Sequence, residues 1–232
     1  MKFRLRSLNL KFRQGETSLP FTNVTYFWGQ MGAGKSSIAK MIDYCLGGRV
    51  ELSPAMQSDF VSATLEIELA QACLTIGRDR DSESVLASWG VGDSAYQLLV
   101  PSRIPAGCIL PGTEVENLSD LVFFLSGLNA PRVRRSKKRI DSEVARLSIR
   151  DLLWYCYLDQ DEIDSSFFHL QRGADTFKQL KSRDVLRYVI GFHDERVAEI
   201  ETDLDRVRGE RLAITSTMVR TAVQKSATVA AG

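Results

Sequence analysis

The chain has 232 residues, with 30 Lys and Arg against 29 Asp and Glu, for a formal net charge of +1 at pH 7. That balance excludes nucleic-acid binding by bulk charge, so any such contact must come from a local patch. Apolar residues make up 44%, enough to bury a real core as one large domain or two small ones. No wholly apolar run is longer than Leu152 to Leu158, and runs such as this one and Leu121 to Leu125 are far too short to span a membrane. Met1-Lys2-Phe3-Arg4-Leu5-Arg6 alternates charged and apolar residues and so is no signal peptide. Cys45, Cys73, Cys108 and Cys156 form no C-x-x-C pair and read as buried free thiols of a reducing, cytoplasmic protein.

Phe3, Leu5, Leu8, Leu10 and Phe12 predict a strand pair turning at Arg13 to Glu16. Val24-Thr25-Tyr26-Phe27-Trp28 is β-branched and aromatic and predicts another strand. It runs into Gly29-Gln30-Met31-Gly32-Ala33-Gly34-Lys35-Ser36, which satisfies the phosphate-loop pattern G-x-x-x-x-G-K-[ST] at every fixed position. Glycines let the backbone curl so that successive N–H groups face phosphate oxygens. Lys35 supplies a positive charge for the outer phosphates, and the Ser36 hydroxyl can ligate Mg²⁺. Ser37 opens a helix to Leu46 with Ile38, Met41, Ile42 and Cys45 on one face, stopped by Gly47-Gly48.

Val61 to Leu69 alternates with period two and predicts an antiparallel strand, with Ala72 to Ile76 as its hairpin partner. A charged loop from Asp79 to Ser84 then leads toward a third strand at Tyr96 to Val100. Leu118 to Leu128 predicts a helix, and Gly127 marks its C-terminus. The basic run Arg132, Arg134, Arg135, Lys137, Lys138 and Arg139 reads either as a solvated loop or as a DNA-backbone contact. It lacks interleaved aromatics, so it is no base-stacking platform.

The apolar run Ile149 to Leu158 ends in Asp159-Gln160-Asp161-Glu162-Ile163, and Phe177 to Ile190 predicts a helix closed by Gly191. Val197, Ile200, Leu204, Val207, Ile214 and Met218 then follow a three-four spacing, with Arg211 in one apolar slot, over roughly three heptads. That spacing fits a coiled coil and an ordinary amphipathic helix equally. His169 and His193 read as surface or core residues.

In this order the elements resemble the N-terminal half of the ABC-type ATPase head of SMC, RecN and RecF relatives, including SMC-like double-strand-break repair ATPases. The resemblance covers Met1 to about Met218 and implies an α/β P-loop NTPase lobe with an antiparallel β-subdomain and an emerging coiled-coil helix. It divides the chain into a head over 1–193, with its β-subdomain near 61–100, the start of an arm over 194–220 and a tail over 221–232. It implies ATP held by Gly29, Gln30, Met31, Gly32, Ala33, Gly34, Lys35, Ser36 and Ser37. Mg²⁺ would lie on Ser36 and Gln160, and catalysis would involve Lys35 and Gln160. Two departures stand out: Met31 replaces a frequent Asn, and Asp161 replaces the glycine that often follows the glutamine.

The resemblance further implies a head completed by a C-terminal lobe and by a second copy of itself, hydrolysing ATP weakly or not at all alone, and acting on DNA in repair, chromosome organisation or anti-phage defence. A nuclease or other effector subunit is a further implied partner. Two alternatives stay open. In one, Leu152 to Asp159 is a Walker B strand, with Asp159 on Mg²⁺ and Glu162 near the water, which makes a self-contained NTPase or kinase. In the other, the chain is a non-catalytic coiled-coil scaffold.

Overall fold

The computed structural model describes residues 3–91, 94–105, 107–134, 144–153, 155–156 and 176–192, together with 196–197, 200, 203–204, 206–212 and 214–215. These fall into two units: 1–130 with 148–153, and 131–147 with 154–232.

The first unit is built on one six-stranded antiparallel sheet in the order β2-β1-β3-β4-β5-β6. Its strands are β1 (Phe3–Phe12), β2 (Gly15–Pro20), β3 (Phe60–Leu69), β4 (Cys73–Asp79), β5 (Ser84–Val91) and β6 (Ser94–Pro101). The predicted hairpins stand: Phe12 pairs with Gly15 across the first turn, and Glu68 pairs with Cys73 across the second. Strands 60–101 share this one sheet with β1 and β2. The period of two places Ala63, Leu65 and Ile67 of β3, Leu74 and Ile76 of β4, and Val85 and Ala87 of β5 on one fully buried face.

Helices α1 (Lys35–Cys45) and α3 (Leu118–Leu125) contribute Met41, Tyr44, Cys45, Leu118, Leu121 and Val122 to the same core. Each fully buried Leu or Ile there is worth roughly 1.5–3 kcal/mol of transfer free energy. A short α2 (Pro54–Asp59) precedes β3, and α4 (Ile149–Leu153) closes the unit.

The ends of α3 follow local chemistry. Asn117 caps its start by accepting from the Asp120 N–H at 3.1 Å, while Asp120 accepts in return from the Glu116 N–H at 3.1 Å. At its end Gly127 is left-handed (φ 70°), and Leu128 N–H donates to the Phe123 carbonyl at 3.0 Å, the paired closure of a glycine-stopped helix. The Leu125-Ser126-Gly127-Leu128 stretch is therefore a helix terminus.

In the second unit, β7 (Arg132–Arg134) pairs antiparallel with β8 (Val144–Arg146), and α5 (Thr176–Ile190) ends at Gly191 with φ 83°. Tyr155 donates to the Ser182 carbonyl at 2.5 Å. The described residues among 196–215 are helical.

Two expectations need correction. Val24 to Trp28 forms no strand. Thr22 donates its hydroxyl to the Val24 carbonyl at 2.7 Å, and Thr25 accepts from the Thr22 N–H at 2.9 Å, so local bonds take groups a ladder would use. No described strand lies alongside to pair with the segment, which leaves Val24 65%, Tyr26 85% and Trp28 93% exposed. The cysteines are free, but only Cys45 is buried; Cys73, Cys108 and Cys156 are exposed.

Burial pushes the Cys45 thiol from its ordinary 9.0 up to about 12, with the Arg78 guanidinium pulling the other way. The raised value means that folding favours the neutral thiol. Its contribution is complete below the unfolded value and is lost as pH climbs toward 12. The urea midpoint should therefore fall between pH 9 and 12, with a shallower fall in Cys45→Ala. Equal slopes in the two proteins would refute this.

Candidate phosphate-binding site

The glycine pattern folds as its chemistry requires. Gly29, Gly32 and Gly34 all have positive φ, at 153°, 83° and 83°. A Cβ at Gly32 or Gly34 would meet nothing within 4 Å. Backbone conformation, and not crowding, is therefore what demands glycine at these two positions. Gly34 is the N-cap of α1 in the left-handed region (φ 83°, ψ 10°). Ser37 and Ile38 N–H both donate to its carbonyl, at 3.0 and 3.3 Å.

The start of α1 is unusual electrostatically. No side chain caps it, and its first turn holds no acidic residue. Helices ordinarily satisfy the first N–H groups with Ser, Asp or Asn and place Asp or Glu nearby. Here the partial positive charge is left for an external anion, and the loop from Gly29 to Gly34 is exposed in front of it. Lys35 folds back over that loop, donating from Nζ to the Gly29 carbonyl at 2.9 Å and the Gln30 carbonyl at 2.8 Å. The ammonium thus sits over the mouth of the loop, within reach of a phosphate bound there.

Gln30, Met31 and Ala33 complete the loop, with Ala33 N–H donating to the Gln30 carbonyl at 3.2 Å. Met31 is fully exposed. Among the described residues no group of three or more His, Cys, Asp or Glu could hold a metal ion. A cation would therefore depend on the phosphates themselves and on an oxygen such as the exposed Ser36 hydroxyl, which suits a hard Mg²⁺.

Gln160, together with Asp159, Asp161 and Glu162, lies outside the described residues, as do His169 and His193. Of the basic run, Arg132 and Arg134 lie on β7, opposite Arg146 and Val144. Arg135, Lys137, Lys138 and Arg139 lie outside the described residues.

The structure adds residues that the motif did not reveal. Arg78, 4% exposed, donates from Nη1 to the Tyr44 and Gly48 carbonyls, each at 2.7 Å, and from Nε to the Ser82 carbonyl at 2.9 Å. Its guanidinium lies 4.2 Å from the centre of the Tyr44 ring. Arg150 on α4 forms a bidentate pair with Asp43 of α1, at 2.7 Å from Nε and 2.9 Å from Nη2. The one sequence signal was Arg78 itself, a cation at the next inward position after Leu74 and Ile76 on an alternating strand.

Residues 1–216 match the family model of an AAA domain. No curated protein matches the chain.

Proposed function

Since the chain belongs to the AAA-domain family of P-loop ATPases, we propose that it is the ATP-binding head of an SMC-like ATPase. A C-terminal lobe and a second copy of the head complete it, and ATP-driven engagement of the two heads acts on DNA. The observation that carries the nucleotide reading is the uncapped, acid-free start of α1 behind three left-handed glycines, with Lys35 above it. Backbone N–H groups and the helix dipole hold the phosphates, Lys35 neutralises their charge, and Ser36 orients the cation. Bound Mg²⁺ would polarise the terminal phosphoryl group. Gln160 is assigned the role of sensing the cation and the attacking water.

The arm reading is supported by exposure. Val197, Ile200, Leu204, Val207 and Ile214 keep the three-four spacing and are 48 to 60% exposed. A helix with such an uncovered stripe buries it against another helix.

One sedimentation series tests the assembly. Mg²⁺ and ATP should shift the protein from monomer to dimer, and DNA should co-sediment with the dimer. Neutralising Arg134, Arg135, Lys137 and Lys138 should lower the salt slope of DNA binding by up to about 4, since each phosphate contact contributes roughly 0.9. A mass that ignores ATP would refute head engagement, and an unchanged slope would remove the basic run from the DNA site.

A further inference from the structure

We propose that Asp43 and Arg150 are positioning residues for the phosphate loop, an inference that rests on the ATP-binding reading above. The loop has little else to hold it. Residues 22–34 are exposed, and the segment entering the loop forms no strand. The described hydrogen bonds of 29–34 are local, reaching no farther than Ile38. Apart from the Phe27 ring, which meets Phe21 edge-on at 6.3 Å on the entering side, its position is therefore set by α1.

That helix is gripped well away from the phosphates. Its buried residues are Met41, Tyr44 and Cys45, all in its second half. Arg78 fastens the carbonyls of Tyr44 and Gly48 at the C-terminal end. The apolar face and the fastened end hold the second half of α1, and Asp43–Arg150 adds a directional side-chain tie to them. Two parallel N–H···O bonds define an orientation as well as a distance.

Arg150 is itself fixed. Its N–H donates to the Ser148 hydroxyl at 3.2 Å, and Ser148 lies 3.0 Å, oxygen to oxygen, from Ser119 on α3. The Asp43 carboxylate is held as well. It occupies the space beside Gly48, where any Cβ would lie 2.0 Å from Oδ2, so Gly48 leaves room for this side chain. The pair thus ties α1 to the α3–α4 corner, at a point seven residues beyond Ser36.

The test is the Mg-ATP dissociation constant of the full chain, measured alongside its melting temperature. At 30% and 33% exposure the pair contributes little to stability. Arg150→Met and Asp43→Asn should each shift Tm by less than about 3 °C. Each should weaken ATP binding about fivefold to tenfold, because sub-ångström misplacement of binding groups is costly. The double variant should be no weaker than either single one, and Arg150→Lys, which keeps the charge but not the paired bonds, should recover only a minor part of the loss. Near-wild-type affinity in Arg150→Met, or additive losses in the double variant, would overturn the inference while leaving the ATP site intact. Failure of the wild type to bind ATP would overturn the functional reading, and this inference with it.

Discussion

Lys35→Ala is expected to weaken ATP binding by at least about 100-fold while leaving the fold essentially as stable as before. The two halves of that expectation have different causes. Lys35 donates to the carbonyls of Gly29 and Gln30, both exposed. Water can satisfy those carbonyls once the ammonium is gone, so the cost to folding stays within about 0.5 kcal/mol. Against a nucleotide the same ammonium makes charge-assisted hydrogen bonds, each worth about 1.5–3 kcal/mol. Two of them, less the two bonds given up to the loop, leave about 3 kcal/mol, which is a factor of more than 100 in affinity. Titration calorimetry with Mg-ATP, paired with a melting curve, reads both quantities. An affinity within threefold of the wild type would remove Lys35 from the site and with it the main support for nucleotide binding.

What the sequence made legible follows from how local each feature is. The phosphate loop, α1 and the hairpins β1–β2 and β3–β4 are each specified by residues close along the chain: glycines at fixed offsets, alternation, and one turn. Strand β5 carries no clean signal although Val85, Ala87 and Trp89 alternate inward, because Leu86 stands apolar on the outer face between them. Val24 to Trp28 failed in the opposite sense. Its composition is that of a strand, but strand formation needs a neighbour, and Thr22 and Thr25 offer the backbone a local alternative. The groups that hold α1 were illegible for a third reason. Asp43 and Arg150 stand 107 positions apart, and the acceptors of Arg78 at the C-terminal end of α1 are backbone carbonyls 30 and 34 positions away, which carry no residue signature at all.

That last point makes Arg78 the position where substitution should cost the most stability. Buried ion pairs between side chains can often be replaced by apolar groups at little cost, because both charges leave together. Arg78 has no such escape. Its acceptors are the carbonyls of Tyr44, Gly48 and Ser82, which remain whatever residue stands at 78. Arg78→Met would fill much of the volume and still strand those oxygens, two of them at the negative end of α1, each at about 1–3 kcal/mol where water cannot enter. It would also remove the cation from the Tyr44 ring, 4.2 Å away. A loss of about 4 kcal/mol is expected, a large share of the 5–15 kcal/mol typical of a folded domain. In urea this is a midpoint lower by roughly 1.5–2 M. Arg78→Lys keeps the charge and can reach one or two of the three carbonyls, so it should lose about half as much. If Arg78→Met instead lost less than about 1 kcal/mol, the carbonyls would have to be reaching water, and α1 would not be held at its C-terminal end by this guanidinium.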